Sequence, residues 1–338
     1  MGSSKFFRRS LVVGLVCIIG FAFTACAQID ELLPFDLPFL SSGQERDLVY
    51  IPMPEIPLGD SFYEIETLPE PPVMTPTLSD DYLTEGSVTV SIGNISRGYV
   101  KIKHDSDAYA LVKIAKNDYE PDFFSINGNS EFEVFPLTRG NGLYTIQVLE
   151  YYVDRLFTIV FSRDIYVNLD NPNYPFLYPN RYVSFNENSE AVALAGRLAS
   201  QVSSDFEVVQ AVYNFITTNI SFDLDFATAV NSGLVLEHTP DIDATLAAGT
   251  GICLDFAVLT AAMLRSQNIP TRLEVGYVLG IFHAWVAVYI PDADWGDAAH
   301  PSGGGWGLLD PTTTTANDAD GFLRPLVDVN EYNVLFIR

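Results

Sequence analysis

Three residues in the C-terminal third of the sequence have side chains that together could carry out nucleophilic catalysis. Cys253 supplies a thiol, His283 an imidazole and Asp310 a carboxylate. A thiol becomes a strong nucleophile when an imidazole takes its proton and a carboxylate orients that imidazole. Taken singly, the three could also be a small core cysteine, a hydrogen-bonded strand histidine and a turn aspartate. Together they predict a Cys-His-Asp triad.

The segments around these residues predict where each side chain would stand. Gly249-Thr-Gly251 is typical of a turn that leads into an apolar helix, and Cys253 falls in the first turn of that helix. The positive end of the helix dipole favours a thiolate at such a position. His283 opens one alternating strand and Asp310 ends another. The triad would therefore be built from a helix start and two strands.

Three blocks in this order resemble the transglutaminase-like superfamily of papain-type thiol enzymes. They read GICLDFAVLTAAMLRSQNIPTRLEVGY, HAWVAVY and WGLLDPT, and the resemblance covers about residues 206–312. It implies that Cys253 is the nucleophile, that His283 is the general base and acid, and that Asp310 orients the imidazole. It also implies an α+β fold with a core of helix plus antiparallel sheet. The residues that match the scaffold pattern are Arg265, Pro270, Arg272, Gly276 and Tyr277.

Two positions depart from the pattern of the family. Asn268 stands where glycine is usual, and asparagine also tolerates the left-handed conformation that ends a helix. Ala287 stands where an acidic residue often follows the histidine by four positions. The first departure is expected to leave the fold intact, and the second bears on the substrate rather than on the triad.

The expected reaction is attack of the Cys253 thiolate on a peptide or protein carboxamide, which gives a thioester. Resolution by water makes the chain a cysteine peptidase or amidohydrolase, and resolution by a lysine amine makes it a cross-linking transglutaminase. A third alternative is a non-catalytic envelope scaffold that retains the fold. The backbone N–H of Cys253 is a candidate donor to the oxyanion. His238 is a candidate second donor or, alternatively, a solvated loop histidine.

The remaining polar residues of this region predict no cofactor and no metal centre. His300 lies in a Gly/Asp/Ala-rich loop and is expected at the surface. No cysteine and histidine cluster has the spacing of zinc ligands. Three loop carboxylates could attract calcium, although such groups are more often simply solvated: Asp292, Asp294 and Asp297.

The N-terminus predicts export and a lipid anchor. Basic residues precede a short uncharged run from Leu11 to Phe23, which is too short for a spanning helix of about 20 residues. Phe23-Thr-Ala-Cys26 resembles a bacterial lipobox, so residues 1–25 are predicted to be a lipoprotein signal peptide and Cys26 the lipidated residue. The predicted location is the outer face of a bacterial membrane. The alternative is simple secretion after cleavage at Ala27.

Composition divides the rest of the chain into three parts. Residues 26–84 are acidic and rich in proline, with nine prolines, and predict an extended tether or a segment packed loosely on a domain. Residues 85–170 contain short alternating runs with glycine and asparagine turns, which predict a small β-sandwich. Residues 171–338 would form the catalytic domain.

The charge limits the partners. With 18 basic and 43 acidic residues the net charge is −25, so the chain has no general attraction for nucleic acid. An anionic membrane surface would repel it, so membrane attachment must be hydrophobic or covalent. The expected partners are a protein or peptide substrate and, through the lipid, a membrane.

Overall fold

The computed structural model describes residues 73–338 apart from residues 118, 130, 155, 236 and 313–326. The predicted signal peptide, Cys26 and the tether up to residue 72 lie outside the described residues. Within the part of the chain that the structure describes, no helix has the length and apolar character needed to cross a membrane.

The N-terminal part of the described chain is a β-sandwich of two four-stranded antiparallel sheets. Their strand orders are β1-β2-β3-β6 and β5-β4-β7-β8. The strands are β1 Tyr82–Glu85, β2 Val88–Ser91, β3 Tyr99–His104, β4 Ala110–Lys116, β5 Asp122–Ile126, β6 Glu133–Pro136, β7 Gly142–Val153 and β8 Leu156–Val167. In β3 the alternation puts Val100 and Ile102 in the core, while Lys101 and Lys103 are only half-buried. Both sheets contribute to one core. This arrangement is the one that the alternating runs predict.

Strand β1 corrects the predicted end of the tether. The predicted tether includes residues 82–84, but these residues belong to β1 and pair with β2 in an antiparallel hairpin that turns at Gly86. Thr77, also within the predicted tether, donates its backbone N–H to the Tyr99 hydroxyl at 3.0 Å. Strand β1 is an edge strand of the sandwich, and Thr77 is already bonded to the sandwich. The described end of the predicted tether is therefore part of the folded sandwich before residue 84.

Among the described residues that follow the sandwich there are five α-helices: α1 Glu190–Ala199, α2 Asp205–Asn219, α3 Leu224–Asn231, α4 Ile242–Ala248 and α5 Cys253–Ser266. The capping box predicted for α2 is present, because the Ser204 hydroxyl accepts from the Glu207 N–H and the Glu207 carboxylate returns to the Ser204 N–H. Helix α5 is the central helix, and every residue from Asp255 to Ser266 is buried.

A second antiparallel sheet, with strand order β13-β12-β11-β14, covers α5. Its strands are β11 Thr271–Val278, β12 Ile281–Tyr289, β13 Trp306–Leu309 and β14 Tyr332–Ile337, and a short parallel pair joins β9 Ser221–Phe222 to β10 Thr250–Gly251. One face of the sheet packs Leu273 and Val286 into the helical core. The other face carries a separate cluster around Trp285, Leu308 and Tyr332. The fold is therefore α+β, as predicted.

Buried arginines connect the end of α5 with the rest of the chain. The Arg265 guanidinium donates to the carbonyls of Thr271 at 2.8 Å, Tyr178 at 3.0 Å and Arg338 at 2.7 Å. Arg338 in turn pairs with Asp122 of the sandwich. Arg265 thus has the packing and hydrogen-bonding role that the resemblance implies.

Candidate active site

Cys253 is the first residue of α5, and the local sequence fixes that start. Ile252 is extended, and the Asp255 carboxylate accepts from its backbone N–H at 2.9 Å. A side chain at Gly251 would bring its Cβ to 2.7 Å from the Asp255 Cβ, so glycine lets the carboxylate reach back. The thiol of Cys253 is partly exposed at this helix start, where the dipole favours negative charge.

His238 stabilises the start of α5 through Asp255. Its Nε2 lies 2.6 Å from the Asp255 Oδ1, and its ring contacts Phe226 edge to face. The sequence offered His238 as an oxyanion donor or a solvated histidine. The structure gives it a third role, as the partner of the carboxylate that caps the helix that begins at Cys253.

His283 lies on β12, opposite Gly276 of β11. A Cβ at Gly276 would come within 2.0 Å of the Asn333 carbonyl oxygen, so this glycine lets β14 approach β11 closely. Strand β13 pairs with the other side of β12, with Val286 opposite Leu309. Asp310 directly follows β13 and therefore arrives beside His283.

The imidazole of His283 connects the other two residues of the predicted triad. Its Nε2 lies 2.8 Å from the Asp310 Oδ2, and the Cys253 side chain is close enough to the imidazole to raise its pKa. Because Nε2 is bonded to Asp310, Nδ1 is the ring nitrogen left to interact with the thiol. Only 11% of the His283 side chain is exposed, and Asp310 is fully buried. The structure therefore brings all three residues together.

The surroundings of His283 favour its charged form. Burial alone would lower the pKa of the imidazole, but the charge and hydrogen bond of Asp310, followed by the hydrogen bond and charge of Cys253, raise the pKa well above the ordinary 6.5. An imidazolium beside the sulfur stabilises a thiolate. The site thus favours an imidazolium beside the Cys253 side chain.

Asp310 is itself held by groups that the sequence did not reveal. The Tyr332 hydroxyl donates to its Oδ2 at 2.9 Å and the Thr312 N–H to its Oδ1 at 3.1 Å. The Tyr213 hydroxyl donates to its backbone carbonyl at 3.1 Å. These donors come from β14, α2 and the turn after Asp310, and they hold the residue and its carboxylate in one orientation.

The surface position predicted for His300 is wrong. This side chain is buried, its Nε2 lies 2.9 Å from the Glu274 Oε2, and its Nδ1 contacts the Ser302 hydroxyl. A bridge between Ala299 and Gly307 folds the polar loop back onto β13, which draws His300 under the sheet.

The other scaffold positions explain the departures from the family pattern. Asn268 has φ +62°, the left-handed conformation expected of it. Ala287 is fully buried against Phe176 and Trp306, so a carboxylate there would lie in an apolar cluster. The Arg272 guanidinium lies 3.7 Å from the centre of the Trp306 ring. Among the described residues, no group of three or more His, Cys, Asp or Glu side chains could hold a metal.

Comparison with known proteins confirms the resemblance. Residues 192–311 match the sequence profile of the transglutaminase-like superfamily, and this segment contains Cys253, His283 and Asp310. The segment is similar to the core of this superfamily, a class that generally comprises cysteine-based enzymes. No curated protein matches the chain in sequence.

Solved structures that share similarity with the chain are distant. A candidate cysteine protease from Cytophaga hutchinsonii is 16% identical, with a TM-score of 0.37, and the match covers 71% of this chain and 83% of that one. The periplasmic domain of TgpA from Pseudomonas aeruginosa is 15% identical, with a TM-score of 0.30, over 70% and 75% of the two chains. Red sea bream transglutaminase is 12% identical, with a TM-score of 0.24, over 66% and 49%.

Proposed function

We propose that this protein is a thiol enzyme that attacks peptide or protein amide bonds through a thioester, with Cys253, His283 and Asp310 as its catalytic residues. The observation that carries the proposal is the position of His283, whose Nε2 bonds a buried carboxylate while its imidazole lies beside a thiol at a helix N-terminus. This arrangement supplies the nucleophile, the proton carrier and its orienting group.

The reaction follows from the position of each proton. The Cys253 thiolate forms a bond to the carbonyl carbon, and the C=O electron pair moves onto oxygen. Collapse of that oxyanion breaks the C–N bond, and the His283 imidazolium gives its proton to the leaving amine. The product of this half-reaction is a thioester on Cys253 and a neutral imidazole that remains bonded to Asp310.

The oxyanion needs preorganised donors. The first N–H groups of a helix have no carbonyl partner within it, and Cys253 opens α5. Its own backbone N–H is therefore the proposed first donor. Removal of one such donor costs about 10²–10³ in rate in known acyl-transfer enzymes.

We place hydrolysis first among the possible fates of the thioester. Water needs no binding pocket. After His283 has given its proton to the leaving amine, the neutral imidazole can take a proton from an attacking water. An amine acceptor would enter by the same route and would make the protein a cross-linking transglutaminase.

The test uses casein as the probe, with and without a fluorescent primary amine. The protein should release casein fragments or ammonia, whereas Cys253→Ser, which keeps the size of the side chain, should release neither. Incorporation of the amine without any hydrolysis would shift the proposal to the cross-linking alternative. Equal products from the protein and from Cys253→Ser would overturn the thiol mechanism.

We also propose that the enzyme acts at the outer face of a bacterial membrane, held by lipid on Cys26. The proposal rests on the basic start, the short apolar run and the lipobox-like residues before Cys26. In cells grown with labelled palmitate, the expressed protein should carry the label and the Cys26→Ala variant should not. A soluble secreted product that begins at Gln28 would contradict the anchor.

A further inference from the structure

A second acid–imidazole pair lies behind the proposed triad. The Glu274 Oε2 accepts the indole N–H of Trp285 at 2.9 Å and lies 2.9 Å from the Nε2 of His300. We propose that Glu274 and His300 are positioning residues, which fix the ring of Trp285 and through it the imidazole of His283. The inference rests on the proposed function and extends its machinery by three residues.

Trp285 connects the Glu274–His300 pair with the His283–Asp310 pair, because its ring contacts members of both. Its ring is nearly parallel to that of His283, at 23° and 6.2 Å between centres. It also meets the ring of Tyr332 edge to face at 5.0 Å, and the Tyr332 hydroxyl bonds Asp310. A ring of contacts therefore joins the side chains of His283, Trp285, Tyr332 and Asp310. A rotation of the indole would remove the group that packs on one side of the imidazole.

The sheet register sets this circuit. His283 and Trp285 are two residues apart on β12, so both side chains project from the same face of the sheet. Glu274 is the residue of β11 directly opposite Trp285. The carboxylate is therefore placed where it can anchor the indole from the neighbouring strand.

The hydrogen bonds of His300 assign its tautomer. The backbone N–H of Ser302 donates to its Nδ1 at 3.1 Å, so Nδ1 offers a lone pair. The proton is then on Nε2, which donates to Glu274. Glu274 Oε2 consequently accepts two N–H bonds, one from the indole and one from the imidazole.

Burial of a carboxylate at this place costs desolvation free energy. Glu274 is fully buried, and its nearest cationic group is the Arg272 guanidinium, whose Nη1 lies 3.9 Å from Oε1. An apolar side chain would fill the space without the loss of hydration. What the carboxylate adds is direction, because two N–H donors converge on one oxygen and hold the indole in a single orientation.

The test compares variants of His300 and Trp285 by the pH dependence of Cys253 alkylation. Iodoacetamide is the probe, and peptide mass spectrometry assigns the alkylated residue in the full chain. His300→Leu fills the space without an N–H, while His300→Gln restores an N–H that can reach Glu274. Trp285→Phe keeps an aromatic face but loses the anchored N–H, so it carries the test if His300→Leu fails to fold.

The unaltered protein should react at about pH 6, where an ordinary thiol with a pKa of about 8.5 scarcely does. His300→Leu and Trp285→Phe should lose roughly tenfold in rate at that pH and shift the profile upward, since small misplacements of reacting groups have large effects. His300→Gln should stay within about twofold of the unaltered protein. The matched control is His104→Leu in the sandwich, another buried histidine paired with a glutamate, which should change nothing.

The outcomes separate this inference from the function on which it rests. An unaltered protein that lacks reactivity at low pH would overturn both. An unaltered protein with that reactivity, together with an unchanged profile in His300→Leu and Trp285→Phe, would overturn only the positioning role. Equal losses in folded His300→Gln and His300→Leu would also overturn it, because the N–H would then not matter.

Discussion

Tyr332 and His283 bond to the same oxygen of Asp310, Oδ2, at 2.9 Å and 2.8 Å. The two donors come from strands at different places in the sheet, β14 and β12, and both aim at one buried carboxylate. Tyr332 therefore helps to set the direction from which Asp310 meets the imidazole.

Tyr332→Phe removes one of these donors and keeps the ring that packs on Trp285. We expect a loss of about 1 kcal/mol of stabilisation of the oriented carboxylate, and roughly a fivefold lower rate of casein hydrolysis. The rate of hydrolysis under single-turnover conditions measures the effect. Tyr277→Phe is a control, because Tyr277 packs against Phe282 on the neighbouring strands. A Tyr332→Phe enzyme as fast as the parent would show that the Tyr332 hydroxyl is not needed to orient Asp310.

Asp310→Asn keeps the shape of the side chain and removes its charge. The charge and hydrogen bond of Asp310 raise the pKa of His283, so the variant should lower that pKa and lose the imidazolium at a lower pH. We expect hydrolysis to fall by about 10²–10⁴-fold, with some thiol reactivity retained. Activity against pH and alkylation against pH give the two readings. A variant with full activity would remove Asp310 from the mechanism.

His283 should also make stability depend on pH. Its folded pKa lies above the unfolded value near 6.5, so its contribution is fully present below that value and is lost as the pH rises through the folded pKa. In a Cys253→Ala background, which removes the thiol's own titration, the free energy of unfolding should decline over this range. His283→Gln in the same background should decline less, as measured by urea unfolding. A steeper decline in the glutamine variant would give the wrong sign.

Arg265→Ala should destabilise the fold strongly. The guanidinium is fully buried and donates to three backbone carbonyls, and the alanine would remove all three of these hydrogen bonds. We expect a loss of about 3–5 kcal/mol in the free energy of unfolding, as is usual when a buried charged partner is removed. Arg163→Ala is the matched control, because Arg163 is 44% exposed, pairs with exposed Glu85 and donates to the Ser162 carbonyl. Its effect should stay below about 1 kcal/mol. Similar losses in both variants would contradict the buried role.

The local elements of the site could be predicted from the sequence because each has a local cause. Glycines before Cys253 indicate a helix start, and alternation around His283 indicates a strand. The antiparallel sheet then brings His283 to Asp310. The signature of these blocks is contained in a short span of the chain, so it needs no knowledge of strand order.

The supporting residues could not be predicted, because their contacts depend on strand order and loop path. Tyr332 reaches Asp310 only because β14 lies beside β11, which no local pattern announces. His300 stands in a polar loop, and its burial follows from the return of that loop onto β13. Glu274 offered the one available signal, as a lone carboxylate within an apolar strand.

The central claim is that His283 and Cys253 form a thiolate–imidazolium pair, and alkylation tests it most directly. The rate of reaction of Cys253 with iodoacetamide is measured from about pH 5 to pH 9 for the protein and for His283→Ala. The account predicts that the protein reacts readily at about pH 6 and that the variant reacts only as an ordinary thiol, with a midpoint near 8.5. Identical profiles for the two proteins, with reaction only above about pH 8, would contradict it.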